Sequence, residues 1–393
     1  MSKLCCFARA ATVAFVLALA CLVPASRGTA IRAYHIGNSV TDTLRYNGVN
    51  AQAQSQGHSY TFGKHISPGV RLVQTWNYQT NPGQQMYSAN GFGLYREALT
   101  NHTWDVVTLQ PFDSILGGSS GDVQMVKNFI NYTLPKSPNA RFYVYSRWPR
   151  FRDGSLNYEQ RWLTPYNYTG TDIYHPSNET RGYFESLVTQ VNQDMPGLPK
   201  KVLMVPVGDV LLEVDRRMRA GQVPGFTSIN QLYTDHIHFG DTGSYIVGMT
   251  FYATMYRDNP MGTPKPVNWA NITAAQVAQF QEAVWQVVSG HAFSGVLRGD
   301  FNRDGNVTIA DFSLLAGNFN RTGMTLGQGD ADGNRTVNLS DFAQMAASIN
   351  LVAADAVLSR GAAFSTGASV PEPGAAALAA FAAMALARRR NRR

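Results

Sequence analysis

Five short apolar runs recur between residues 31 and 207, at Ile31–Ile36, Tyr60–Ile66, Trp104–Leu109, Ala140–Tyr145 and Val202–Val207. They are rich in β-branched and aromatic residues, and most lack strict apolar–polar alternation. That is the pattern of strands buried on both faces of a parallel sheet. Amphipathic stretches at 43–56, 91–100, 121–133, 181–194, 209–220, 241–257 and 272–290 lie between and after them. Strands alternating with helices predict a doubly wound α/β sandwich over residues 31–290. Residues 150–180, rich in Tyr, Trp, Pro, Asn and Gly, fit neither period and read as a long insertion over the sheet's edge or active face.

At 393 residues the chain exceeds what one core usually supports, so a second, smaller module is expected. The composition changes after His291: the apolar runs stop, residues 291–298 read as a linker, and two acidic, Gly-containing repeats run to Asn350. Residues 351–370, rich in Ala, Ser and Gly, read as a further linker.

The net charge of +7 sits at the two ends. Residues 1–30 carry Lys3, Arg9 and Arg27 and no acid, and residues 371–393 carry Glu372 against five arginines. Between them 25 bases face 25 acids, a balance that leaves no electrostatic footprint for nucleic acid or an anionic membrane.

Lys3 and Arg9 followed by the apolar run Ala10–Val23 and small residues form the pattern of a secretory signal peptide, cleaved after Ala25 or Ala30. Leu19 stands where a small residue usually precedes a lipidated cysteine, so Cys21 is a poor lipoprotein site. Cys5, Cys6 and Cys21 all fall in this segment. An exported chain without them has no disulfide, thiolate nucleophile or cysteine-ligated zinc, and its chemistry must use oxygen and imidazole.

The first run ends in Tyr34-His35-Ile36-Gly37-Asn38-Ser39, which sets Ser39 at the turn from strand to helix, on the sheet edge where open α/β folds bind ligands. Ser39 has two readings there, helix N-cap or nucleophile. Far downstream, Asp235-His236-Ile237-His238 offers an acid and a histidine three apart, the parts with which a carboxylate orients the base of a serine nucleophile.

Gly-Asn-Ser after the first strand and Asp-x-x-His near the end of the domain resemble blocks I and V of the SGNH/GDSL hydrolase superfamily. The resemblance implies a flavodoxin-like three-layer α/β/α sandwich with Ser39 as nucleophile, His238 as general base and Asp235 as its orienting carboxylate. His236 is then a polar loop residue. The resemblance also implies oxyanion donors at the Ser39 N–H, the Gly69 N–H and the Gln110 side chain, each typically contributing about 3 kcal/mol. Asn38 replaces the usual block I acid, and Gln110 stands where block III usually supplies Asn.

From Asp300 the chain places oxygen side chains at loop positions 1, 3, 5, 9 and 12, as Asp300, Asn302, Asp304, Thr308 and Asp311, with Gly305 at position 6 and the Asn306 carbonyl at 7. Thirty residues on, Asp330, Asp332, Asn334, Thr336, Asn338 and Asp341 repeat the pattern with Arg335 in place of the glycine. Such spacing wraps hard oxygen ligands around Ca²⁺, here two structural ions and none for catalysis. A helix after each loop, and Asp at position 12, resemble a type I dockerin, a small all-α module of paired EF-hand-like loops. That resemblance implies a cohesin-bearing partner and a setting among polysaccharide-degrading enzymes.

The tail Val370-Pro371-Glu372-Pro373-Gly374, a short apolar run and five arginines resembles a PEP-CTERM sorting signal, which implies processing by an exosortase at a cell envelope; an ordinary tail anchor is the other reading. The readings converge on an envelope-associated or extracellular serine esterase acting on acylated, foremost acetylated, glycans. A non-catalytic carbohydrate-binding or display protein on a degenerate fold is the alternative from another class. A lipase or thioesterase would share the mechanism, and Trp148, Tyr158, Trp162, Tyr166 and Tyr168 in the insertion favour sugar stacking over an acyl tunnel.

Overall fold

The computed structural model describes residues 28–150, 162–167, 180–265 and 271–359. The chain divides between Ser294 and Gly295 into two compact units. The segments read as the sorting tail and all but the last residues of the signal peptide lie outside the described residues.

In the first unit β1 (Ala30–Gly37), β2 (Ser59–Ile66), β3 (Tyr87–Ser88), β4 (Val106–Leu109), β5 (Arg141–Tyr145) and β6 (Leu203–Val205) form one sheet in the order β3-β2-β1-β4-β5-β6. All neighbours are parallel except the β2–β3 pair. Without β3 the order is flavodoxin-like. Two exposed residues leave no periodicity to read, so β3 has no counterpart among the five apolar runs.

Helices α1 (Ser39–Asp42), α2 (Tyr46–Ser55), α3 (Leu72–Trp76), α4 (Tyr95–Asn101), α5 (Asp122–Thr133), α6 (Thr164–Asn167), α7 (Arg181–Asp194), α8 (Val207–Arg219), α9 (Asp241–Tyr256) and α10 (Ala274–Val288) fill the connections. Alternate strand residues sort to two cores. Tyr34, Ile36, Val107, Leu109, Phe142 and Val144 join the apolar faces of α4, α5 and α7. His35 and Tyr145 point the other way, onto Phe251 of α9. There α9 packs with α2, α8 and α10. Residues Gly243–Tyr256 of α9 are buried on every side, so this helix is apolar all round where the sequence predicts an amphipathic one.

Residues 291–294, read as linker, are packed: the Phe293 carbonyl accepts the Met204 N–H of β6 at 2.8 Å, and the Phe293 ring lies against the core. The second unit carries two loops, each followed by a helix, α11 (Ile309–Asn318) and α12 (Leu339–Ser359), with a 3₁₀ turn at Leu326–Gln328 before the second loop. Its small core holds Phe301, Leu315, Leu326, Val337 and Met345. Residues 351–359, also read as linker, continue α12, as the high helix propensity of Leu and Ala allows.

Candidate active site

The winding of the sheet reverses at β1, whose neighbours are β2 on one side and β4 on the other. A crevice at the carboxyl ends of the strands is expected at such a switch point. Ser39 emerges there as the first residue of α1. Its hydroxyl is not the cap: Asn38 caps α1, its Oδ1 accepting the Val40 N–H at 3.0 Å. The other end of the same side chain donates Nδ2–H to the Val70 carbonyl at 3.2 Å. An aspartate could cap but could not donate, so the Asn38 amide does two jobs that a carboxylate could not do together. Gly37 is obligatory, because a Cβ there would lie 2.1 Å from Thr41 Oγ1.

Asp235 and His238 come from the loop between the 3₁₀ turn Ile229–Leu232 and α9. A bridge between Tyr233 and Phe239 closes that loop, and the Thr234 N–H donates to the His238 carbonyl at 2.8 Å. Trp148 holds it from outside, donating its indole N–H to the Ile237 carbonyl at 2.7 Å and stacking on Phe239 with ring centroids 4.1 Å apart. His238 Nε2 lies 2.8 Å from Ser39 Oγ, and His238 Nδ1 lies 2.7 Å from Asp235 Oδ2. With Nδ1 protonated toward the carboxylate, Nε2 is left as the acceptor for the serine proton.

Asp235 Oδ1 accepts the backbone N–H groups of Ile237 and His238, at 2.8 and 2.7 Å. Partial burial would raise this carboxyl, but those N–H groups and the His238 ring outweigh it and hold it at about 2. Asp235 is therefore charged throughout the neutral range. His236 is exposed and forms no hydrogen bond or ion pair with Ser39, Asp235 or His238 among the described residues.

The Ser39 and Gly69 N–H groups have no hydrogen-bond partner among the described residues. Gly69 has φ +68, in the left-handed region, and a Cβ there would sit 2.5 Å from Asn81 Nδ2, so the residue must be glycine. The Asn38–Val70 hydrogen bond ties the Gly69 turn to the Ser39 turn. Gln110, buried beside them, spends most of its amide on the scaffold. Its Oε1 faces the Asn38 N–H and the Thr41 hydroxyl, each at 3.2 Å, and its Nε2 donates to the Pro111 carbonyl. Since Asn38 N can only donate and the Pro111 carbonyl can only accept, that orientation is fixed. An oxyanion role for Gln110 would rest on its remaining Nε2 hydrogen.

The two loops of the second unit share one wiring. At position 12, Asp311 Oδ1 accepts the Phe301 and Asn302 N–H groups at 2.9 and 3.1 Å, and Oδ2 accepts the Thr308 N–H at 2.8 Å. Asp341 repeats this with Ala331, Asp332 and Asn338 at 2.8, 3.2 and 2.8 Å. Asp300 takes the Gly305 N–H, and Asp330 takes the Arg335 N–H.

Arg335 adopts φ 65 where Gly305 has φ 96, so the second loop accepts a non-glycine in the left-handed region at a cost of about 1 kcal/mol. Carboxylate oxygens of Asp330, Asp332 and Asp341 lie within 4.8 Å of one another. Burial, then the neighbouring carboxylates, push Asp330 up to about 6, and burial also raises Asp341. An all-oxygen set under mutual repulsion fits a hard divalent cation.

The aromatic residues read as a stacking face are placed otherwise. Trp148, Trp162 and Tyr166 are fully buried, with their polar ends bonded to the Ile237 carbonyl, the Tyr233 hydroxyl and Asp209. They are core residues rather than a sugar-stacking face, while Tyr158 and Tyr168 lie outside the described residues. Sequence reasoning also missed Asp113, which takes Arg147 at 2.7 Å and Arg150 at 2.5 Å across a gap of more than thirty residues that no local motif announces.

No family model and no curated protein matches the chain. Among solved structures it is similar to a DUF4886 family protein from Bacteroides uniformis, at 13% identity and a TM-score of 0.43, over 65% of this chain and 93% of that one. A GDSL-like lipase from Parabacteroides merdae is 13% identical with a TM-score of 0.32, over 58% and 97%. The periplasmic domain of a lipopolysaccharide acetyltransferase from Salmonella Paratyphi A is 11% identical with a TM-score of 0.32, over 58% and 84%. Likenesses this distant add nothing to the reading of the site.

Proposed function

We propose that the first unit is a serine esterase that removes acyl groups, foremost acetyl, from polysaccharide. The observation that carries the reading is the unbroken line Asp235–His238–Ser39, at 2.7 and 2.8 Å, ending beside two uncommitted N–H groups. Ser39 Oγ attacks the ester carbonyl while its proton passes to His238 Nε2. Asp235 keeps the ring in the right tautomer and offsets its positive charge. The Ser39 and Gly69 N–H groups receive the negative charge that develops on the carbonyl oxygen. Collapse expels the sugar hydroxyl, protonated by His238, and leaves an acyl-serine. A water molecule, deprotonated by His238, then releases the acid and regenerates Ser39.

The second unit, on this proposal, is a dockerin-like module for assembly with a cohesin-bearing partner. Two calcium ions would be held by Asp300, Asn302, Asp304, Asn306, Thr308 and Asp311, and by Asp330, Asp332, Asn334, Thr336, Asn338 and Asp341. Bound calcium would supply charge neutralisation within each loop, coupling metal to folding and taking no part in hydrolysis. Export to an envelope or extracellular setting, and exosortase processing of the tail, complete the proposal. The test is turnover by the purified full chain and by Ser39→Ala on acetylated glycans and long-chain esters. Release of acetate by the wild type alone supports the reading; inactivity of both proteins on every ester refutes it.

A further inference from the structure

A cavity of about 550 Å³ opens beside Gly69, lined by Gly69, Arg71, Val73, Gln74, Phe112 and Asp113. Its size suits a small ligand such as a sugar residue. Gly69 is the residue whose free N–H faces the developing oxyanion on the proposal above, so the cavity adjoins the place where the esterified sugar must lie. Its lining is built. Asp113 is held in the left-handed region at φ 46, and both of its oxygens are taken, Oδ1 by Arg147 and Arg150 and Oδ2 by Arg150. Phe112 lies against the same two guanidinium groups, at 4.5 and 5.0 Å from ring centroid to Cζ.

Arg71 is different. It is exposed, and its guanidinium has no carboxylate partner among the described residues. It stands close enough to Asp113 for its charge to help hold that carboxyl below its ordinary value, against burial and behind the two nearer arginines. Those bonds turn Asp113 toward Arg147 and Arg150, and no hydrogen bond or ion pair joins it to Arg71 among the described residues. The wall beside the oxyanion donor thus presents a guanidinium with no carboxylate bonded to it, next to an aromatic ring and the Gln74 amide.

We propose that this cavity is a subsite for an acidic sugar: the acylated glycan carries a uronate whose carboxylate pairs with Arg71 while its ring lies along Phe112. The inference rests on the esterase reading and sharpens its substrate class from acylated glycans in general to acylated, carboxylate-bearing ones. The planar guanidinium fork matches a carboxylate in two parallel hydrogen bonds, and a neutral sugar leaves it unpaired.

The test compares kcat/KM of the full-length protein on acetylated oligogalacturonates and on acetylated, uncharged xylo-oligosaccharides, for the wild type, Arg71→Gln and Arg71→Lys. Ser39 is labelled in parallel with a fluorophosphonate. The wild type should favour the acidic substrate by about 10–100-fold, the range of a charge-assisted hydrogen bond. That ratio should collapse in Arg71→Gln, survive in part in Arg71→Lys, and shrink as salt rises. A wild-type ratio near one, or a ratio unmoved by Arg71→Gln, with Ser39 still labelled, overturns the subsite and leaves the esterase reading standing. No label and no turnover on either substrate overturns the esterase reading and the subsite with it.

Discussion

The two units build their sites by opposite routes. In the first, Ser39 and His238 meet across 199 residues, carried by a strand end, a helix start and a loop that Trp148 pins from a third element. In the second, each position-12 aspartate closes its loop on N–H groups no more than ten residues away. A site assembled from distant segments inherits its geometry from the packed core and needs no ion to hold it. A site assembled locally in a unit with few apolar residues brings like charges together, and on the proposal above a cation relieves them.

The largest effect that could break this contrast is loss of the nucleophile or its base. Ser39→Ala and His238→Ala should each lower ester turnover by about 10⁴-fold or more, measured as kcat on any ester the wild type accepts. Turnover retained in His238→Ala and abolished in His236→Ala would place the base elsewhere. Chelation should divide the two units. With EDTA, the thermal transition of the second unit should fall by about 10–20 °C in calorimetry, the linkage expected for loss of a tightly bound ligand from a small unit. Ester hydrolysis should continue. A transition unmoved by EDTA would remove calcium from the account.

Smaller effects sharpen the contrast within the first unit. Asn38→Asp keeps an oxygen for the cap and removes the donor to the Val70 carbonyl. It should destabilise that unit by about 1–3 kcal/mol in urea titration, because the carbonyl loses its partner and faces a carboxylate. An equally stable variant would show that the Ser39 and Gly69 turns are tied by something else.

Asp122, fully buried at the start of α5, is raised to about 7 by burial, with hydrogen bonds from Tyr183 and Ser114 opposing the shift in part. Its folded-state value exceeds its unfolded one, so its contribution to stability is complete below about pH 4 and is lost as pH rises toward 7. The first unit should lose up to about 1.4 kcal/mol per pH unit across that window from this group. Asp122→Asn should flatten the slope; an unchanged slope would assign it to other groups. The smallest change expected is in His236→Ala, with kcat within about twofold of wild type.

What was legible in the sequence follows the same division. Strands buried on both faces announce themselves as apolar runs, and four of the five runs overlap observed strands over most of their length, with Val202–Val207 shortened to Leu203–Val205. The two loops are legible because the aspartates that close them lie at fixed local spacing from the N–H groups they accept. Gly-Asn-Ser and Asp-x-x-His were each readable as motifs, but nothing local says that they meet. Trp148, Trp162 and Tyr166 misled because aromatic content alone does not distinguish a stacking surface from a core, and the partners that bury them lie up to 89 residues away. Asp113 and its arginines went unread for the same reason.

The central claim is that a serine positioned by long-range packing is nucleophilic without help from the unit proposed to bind calcium. Treating the full-length protein with a fluorophosphonate in excess EDTA, then mapping the adduct by peptide mass spectrometry, tests it most directly. The account predicts one adduct, on the peptide containing Ser39, formed at the same rate with and without EDTA and absent in His238→Ala. An adduct on another serine, or labelling of Ser39 that disappears when calcium is removed, would contradict it.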